Sequence, residues 1–273
     1  MSGDPRQDTD ATAEQLGAIA AEAGRLLAAV ADRAGGRRLK DDGSPTTGAD
    51  LASEKLILRR LAERWPDIPV IAEESFGAPP ASDLFFLVDP LDGTKDYLTG
   101  AGEYSVNIAL VAGSRPIAAA VAAPSVSRVF VAGTAVRIAS MSSEGCGQWA
   151  PARARAAPES GLVALVSRRH GDDATEACLA ALPIAERRVA SSAYKFCLIA
   201  AGEADIYVRC GPTMEWDTAA GDHLVERAGG IVVEAPGAMP RYGRSGRGFR
   251  NGPFAACGDR SVAARLRLPE SCA

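Results

Sequence analysis

Histidine is scarce, with His170 and His223 the whole complement of the 273-residue chain. The six cysteines, Cys146, Cys178, Cys197, Cys210, Cys257 and Cys272, are scattered without a C-x-x-C pair, and several lie in apolar runs. These absences leave no imidazole or thiolate set suited to zinc or copper. The cysteine pattern fits reduced, buried thiols of a cytoplasm better than a disulfide framework. A basic excess is also missing: the formal net charge is −4, with neither a basic tail nor a long basic helix. That argues against a general nucleic-acid or anionic-membrane binder and leaves small anions open. No window approaches the roughly 20 apolar residues of a membrane span. The N-terminus is acidic (Asp4, Asp8, Asp10) and lacks the apolar centre of a signal peptide, and Cys272 is not placed for prenylation. A cytoplasmic location is expected, with peripheral association at the inner membrane face left open.

What is present is a globular composition, 47% hydrophobic, in a chain long enough for one large domain or two sharing an interface. The segment before about Asp10 reads as disordered. A capping-box spacing at Thr12 and Gln15 opens an amphipathic helix that continues to Gly35-Gly36. A polar stretch from Lys40 to Gly48 precedes a helix from about Asp50 to Arg64, closed by Pro66. Val70 to Ala72 reads as a short strand running into Glu73-Glu74. Phe85 to Val88 reads as a buried strand that stops at Asp89, Pro90 and an Asp92-Gly93 turn. Strands follow at Tyr104 to Val111, Ile117 to Ala123 and Arg128 to Val131, the first two joined by a turn at Gly113 to Pro116. Residues 133 to 160 carry little periodicity and read as an irregular excursion. They mark a soft boundary between an N-terminal α+β half, 1–140, and a C-terminal α/β half, 141–273. Beyond them come a strand at Leu162 to Val166, a helix at Asp172 to Leu182 and a strand at Ile184 to Val189. A helix at Ser191 to Ala201, a strand at Ile206 to Val208, a helix at Thr218 to Ala228, strands at Ile231 to Glu234 and Phe254 to Cys257, and a last helix from about Arg260 complete a layered α/β pattern.

Acids recur where apolar strands end: Glu73-Glu74, Asp89 with Asp92, and Asp217 ahead of a helix. Asp89 and Asp92, with the Leu91 carbonyl between them, can offer oxygen donors to a hard cation such as Mg²⁺. Gly93 permits close backbone approach, and the Gly93 and Thr94 N–H groups can meet an anion. A blander account exists for each: an Asp-Gly surface turn with an Asx bond, a solvated Glu pair, and Asp217 as a helix N-cap. Gathered at one sheet edge, four carboxylates would repel one another unless cations bound between them. A two-metal phosphoester hydrolase is the natural hypothesis.

The strings Ala72-Glu73-Glu74-Ser75, Asp89-Pro90-Leu91-Asp92-Gly93-Thr94 and Trp216-Asp217-Thr218-Ala219-Ala220-Gly221, in this order and spacing, resemble the signature of the inositol monophosphatase superfamily of Mg²⁺-dependent, lithium-sensitive phosphatases. Asp89 to Leu110 and Ser191 to Gly221 resemble its bisphosphate nucleotidase branch. The resemblance runs from roughly Leu16 to Cys257 and is weakest over 133 to 160. It implies a layered α/β/α/β/α sandwich of the inositol monophosphatase and fructose-1,6-bisphosphatase type. It implies Glu73, Asp89, the Leu91 carbonyl, Asp92 and Asp217 as ligands of two or three Mg²⁺ ions, with Asp89 bridging, and assigns Glu74 no such role. Asp50 and Thr94, with Glu73, are the implied catalytic groups that orient the attacking water; Asp50 also reads as an N-cap. Glu73, Leu91, Asp92, Gly93, Thr94, Ser192, Lys195, Arg209 and Asp217 are implied on the substrate side. Ser192 and Lys195 are expected on a helix whose N-terminus favours anions, and Ser167-Arg168-Arg169-His170 resembles a further nucleotide-side segment. The implied activity is removal of the 3′-phosphate of adenosine 3′,5′-bisphosphate to give AMP, linked to sulfate assimilation. Alternatives are an inositol- or sugar-phosphate monophosphatase and a catalytically silent nucleotide-binding relative. The expected partner is a small nucleotide bisphosphate, with no nucleic-acid polymer, and the chain a monomer or homodimer.

Overall fold

A computed structural model describes residues 4–31, 38–39, 45–76, 82–100, 102–168, 171–235 and 237–270. Arg169, His170 and most of the segment from Lys40 to Gly48 lie outside the described residues. In chain order the N-terminal elements are α1 (Thr9–Val30), β1 (Arg38–Leu39), β2 (Pro45–Thr46), α2 (Gly48–Arg64), β3 (Val70–Ala72), β4 (Leu84–Asp92), α3 (Thr94–Thr99), β5 (Ser105–Ala112), β6 (Arg115–Ala123), β7 (Arg128–Ala132), β8 (Val136–Ser142), β9 (Gly145–Cys146) and β10 (Ala150–Pro151). There follow β11 (Leu162–Val166), α4 (Asp173–Ala180), β12 (Ile184–Val189), α5 (Tyr194–Ala200), β13 (Ile206–Arg209), α6 (Glu215–Arg227), β14 (Ile231–Glu234), β15 (Phe254–Cys257) and α7 (Arg260–Ala263).

Two large sheets organise these elements, beside the short antiparallel pair β1-β2. The larger has the order β10-β8-β7-β6-β5-β4-β3, with β9 against β8; β3 and β4 run parallel and the other pairs antiparallel. The smaller has the order β12-β11-β13-β15-β14. Strands β4, β5 and β6 are apolar on both faces because both faces are covered. One face, through Phe86, Val88, Ile108, Leu110, Ala120 and Val131, packs on Leu16, Ala20, Leu27, Ile57 and Leu61 of α1 and α2. The other, through Phe85, Leu87, Val121 and Phe130, meets Phe196 and Ile199 of α5 and Trp216, Ala220 and Leu224 of α6, with Tyr207, Phe254 and Ala256 of the second sheet beyond. The far face of that sheet, through Leu162, Ala164, Ile206 and Ala255, packs on Leu179 of α4 and Val262 of α7. The layer order is therefore α/β/α/β/α. In the middle layer α5 and α6 touch closely: a Cβ at Gly221 would lie 2.4 Å from Phe196 Cγ. Arg115, opening β6, ties α6 to the first sheet through Asp222 Oδ2 at 2.6 Å and Glu226 Oε2 at 2.7 Å, and Tyr242 donates to Asp222 at 2.9 Å.

Several expectations are corrected. The chain before Asp10 is ordered from Asp4. Asp8 caps α1 by accepting from Ala11 N at 2.9 Å, while Thr12 donates to the Pro5 carbonyl. That helix ends at Val30, short of Gly35. Strand β4 does not stop at Asp89 but continues through Asp92. Residues 133 to 160 are not an irregular excursion: β8, β9 and β10 extend the first sheet at its edge. Their alternating exposure and small Ser and Ala side chains give little apolar periodicity to read. Asp50 and Asp217 are not N-caps. Thr47 and Met214 hold those positions, and each Asp sits at the third helical residue, accepting from the cap N–H.

Candidate active site

The end of β4 carries a bulge. Pairing with β5 runs to Asp89↔Asn107 and resumes at Asp92↔Ser105, so Pro90 and Leu91 oppose Val106 alone. Side chains three residues apart on a regular strand point to opposite faces. The extra residue restores the phase, and Asp89 and Asp92 both face the middle layer. Pro90, with no N–H to give, is tolerated at such a break, and its carbonyl accepts from Ser53 of α2 at 2.7 Å. Asp89 Oδ1 accepts from Leu91 N at 3.0 Å. Gly93, at φ 91°, then turns the chain into α3 in a conformation that disfavours other residues.

Parallel pairing of Ala72 with Val88 sets Glu73 beside Asp89, and Glu73 N donates to the Val88 carbonyl at 3.1 Å. Asp217, on α6, accepts from Met214 N at 2.8 Å. Burial first, then the charges of Glu73, Asp92 and Asp217, push the Asp89 carboxyl well above the usual range. Burial, then Asp92 and Glu73, do the same to Asp217. Asp92 is raised by burial, offset by Lys195, by the Ala193 N–H at 2.6 Å, and by Asn107 and Arg209. The four acids thus act on one another across one corner of the fold. Among the described residues, no three His, Cys, Asp or Glu side chains close on one point as ion ligands. The donor chemistry nevertheless fits Mg²⁺: all-oxygen, without imidazole or thiolate, and made of carboxylates, Asp89 buried and Glu73, Asp92 and Asp217 half-buried, whose mutual repulsion a divalent cation would relieve.

Asp50 is buried beneath this corner. Its Oδ2 accepts from Thr47 N at 2.8 Å and Thr47 Oγ1 at 2.5 Å, and its Oδ1 faces the Thr94 hydroxyl at 3.1 Å. Burial raises its pKa, the Thr47 bonds oppose that, and Glu74 raises it further. The Glu74 carboxylate accepts from Thr46, and its N–H donates to Glu54 at 2.8 Å.

A cavity of about 240 Å³ lies against the corner. It brings together Asp92, Gly93, Ser192, Lys195, Arg209 and Asp217; Glu73, Asp89, Leu91, Asp50 and Thr94 are outside its lining. Helix α5 begins at Tyr194, so Ser192 precedes it, at φ 56°. The Ala193 N–H at the start of α5 is spent on Asp92 rather than left for a substrate anion. Lys195 is buried, with Nζ donating to the Ser192 carbonyl at 2.9 Å and lying 4.7 Å from the Tyr207 ring centre. Burial pulls this ammonium down to about 8, against the pull of Asp92. Ser167 and Arg168 also line the cavity. The structure also brings to this corner Asn107, Tyr207 and Asp96, which sequence reasoning did not single out. The first two sit inside apolar strands, and Asp96 lies on the short α3 beside the recognised turn, where a lone acid gives no distinguishing signal.

The model of the inositol monophosphatase family matches residues 7–264. The chain is 37% identical over 251 residues to the 3′(2′),5′-bisphosphate nucleotidase CysQ of Salmonella typhimurium, covering 87% of this chain and 98% of the relative. It is 37% identical over 223 residues to CysQ of Escherichia coli K12, covering 77% and 86%. The crystal structure of CysQ from Bacteroides thetaiotaomicron superposes with a TM-score of 0.76 at 29% identity, covering 92% of this chain and 98% of that one. A family match that spans both sheets, and relatives aligned along nearly their whole length, agree with the five-layer fold: the chain belongs to the inositol monophosphatase family.

Proposed function

We propose that this protein hydrolyses the 3′-phosphate of adenosine 3′,5′-bisphosphate to AMP and phosphate, a reaction linked to sulfate assimilation in the cytoplasm. Relatives named as 3′(2′),5′-bisphosphate nucleotidases support the reading. The observation that carries it is the cavity in which Asp92 and Asp217 share a wall with Lys195, Arg209 and Arg168. A substrate with a second phosphate needs cationic donors beside the acids that handle the first. Among the described residues, no helix is long and apolar enough to cross a membrane.

In this reading Glu73, Asp89, the Leu91 carbonyl, Asp92 and Asp217 are the residues that would hold Mg²⁺. Bound there, Mg²⁺ supplies positive charge against the phosphate oxygens and the departing ribose oxygen. The protein's own share is orientation. Asp50, held by Thr47, accepts the Thr94 hydroxyl proton; the Thr94 oxygen then accepts from the attacking water and turns its lone pair toward phosphorus. Gly93 and Thr94 lend backbone donors to the phosphate, and Ser192, Lys195 and Arg209 grip the rest of the nucleotide. Attack is direct, without a covalent intermediate: the water forms the new P–O bond as the bond to the ribose oxygen breaks, the proton the water sheds passes through Thr94 to Asp50 and on to solvent, and the ribose oxygen leaves as the hydroxyl by taking a proton from solvent.

Phosphate release from adenosine 3′,5′-bisphosphate and from inositol 1-phosphate, each with Mg²⁺ and with chelator, tests the proposal. A chelator-sensitive preference for the nucleotide is expected. Preference for inositol phosphate would overturn the substrate, and no turnover of either would overturn the activity.

A further inference from the structure

Strand β5 places two polar residues where its neighbours are apolar. Ser105 and Asn107 lie on the face shared with Ala109 and Val111, and across β6 Asn107 pairs with Val121. Both are buried, and Ser105 Oγ, Asn107 Nδ2 and Asn107 Oδ1 have no hydrogen-bond partner in the protein. A buried polar group left unsatisfied is costly, and a native chain keeps such groups where they serve something. The register shows what lies opposite: Asn107 faces Asp89 and Ser105 faces Asp92. The Asn107 carboxamide makes no well-formed hydrogen bond, yet it stands on the same face as Asp92, one pair along the ladder across the bulge, near enough to act on that carboxylate as a donor.

We propose that Asn107, with Ser105 beside it, is a positioning residue for divalent-cation binding, its carboxamide fixing the orientation of Asp92 from the β5 side. The inference rests on the ion-site reading above. Asp92 is held from one direction by Ala193 N–H, which belongs to the segment leading into α5. Asn107 approaches from the first sheet. A carboxylate gripped by two elements keeps its remaining lone pairs aimed at one place, and such outer partners are typically worth about 10–100-fold in metal affinity.

Calorimetric titration of the purified full-length protein with Mn²⁺ alone, a hard divalent probe, decides the matter, with thermal unfolding in chelator alongside. Asn107→Leu keeps the volume and removes the polar atoms. It is expected to leave the metal-free Tm unchanged or raised, because an unsatisfied group is gone. It is also expected to weaken Mn²⁺ at least about tenfold. Should Asn107→Leu not fold, Asn107→Ala is read by its Mn²⁺ affinity alone, since the cavity it leaves lowers the metal-free Tm whatever the role of the amide. Wild-type affinity in the variant overturns the inference alone, as does, in Asn107→Leu, an affinity loss matched by an equal fall in metal-free stability. Absence of Mn²⁺ binding by the unaltered protein overturns it together with the ion-site reading.

Discussion

Thr94 can give its hydroxyl proton to Asp50 Oδ1 at 3.1 Å or to the Leu91 carbonyl at 3.2 Å, but not fully to both. An ionised Asp50 wins that competition, since a charge-assisted bond is about twice as strong as a neutral one. Thr94→Val, similar in size and without the hydroxyl, should lower kcat by about 10²–10⁴ with little change in Tm, measured by steady-state phosphate release and thermal unfolding. Two side chains set the pH profile from opposite sides. Asp50 is raised by burial, so turnover should climb as rising pH strips its proton. Lys195 is charged below about 8, so the KM for the bisphosphate should climb as pH passes that value. Lys195→Met should raise KM at neutral pH and flatten this second limb; an unchanged limb would remove Lys195 from nucleotide binding. Asp89, Asp92 and Asp217 were legible because acids against apolar runs stand out. Asn107 was not, because a single amide inside Val106-Asn107-Ile108 gives no sign of what stands across the ladder from it.

At the scale of elements, Arg115 joins β6 to α6 through a carboxylate with no solvent exposure. Burial lifts Asp222 to about 6 against the pull of Arg115. Arg115→Met would leave that charge uncompensated and should cost about 3–5 kcal/mol near neutral pH, read from urea unfolding. A raised carboxyl pKa means the folded state holds the proton more tightly than the unfolded one, so the stability tied to Asp222 is lost as pH rises through about 6. The Arg115→Met penalty should accordingly shrink when measured at pH values below about 6, where Asp222 takes up its proton. Replacing both partners by apolar residues should recover most of the loss. Helices α2 and α6 were legible in place and misread at their starts by about a turn. Thr47 and Met214 lie outside the apolar periodicity, whereas Asp50 and Asp217, each on the first turn, resemble caps in a linear reading. Strands β8 to β10 escaped because an edge that is half solvated repeats no apolar signal.

At the scale of the whole molecule, the acids come from different layers and resist being brought together. Asp89 and Asp217 hold their protons well above the usual carboxylate range, so the stability linked to them is present on the acid side and lost as pH climbs through their raised values. In chelator, Tm should therefore fall as pH rises toward neutrality. Mg²⁺ at about 100 times its dissociation constant should restore about 2.7 kcal/mol, seen as a Tm that depends on ion concentration. The alternation of elements made an α/β architecture legible, and the family resemblance supplied the five layers. Periodicity alone could not order them, because a strand buried on both faces reads the same whichever helices cover it. The bond from Ala193 N–H to Asp92 Oδ2 spans 101 positions of chain and joins the first sheet to the middle layer. A ribosome-bound chain that has emerged only through the first sheet thus carries Asp89 and Asp92 but neither Ala193 nor Asp217. On refolding from denaturant, recovered phosphatase activity should lag behind far-ultraviolet ellipticity, because closing contacts of such sequence separation comes late. A nascent or half-folded copy is in effect a dormant enzyme, switched on by its own completion.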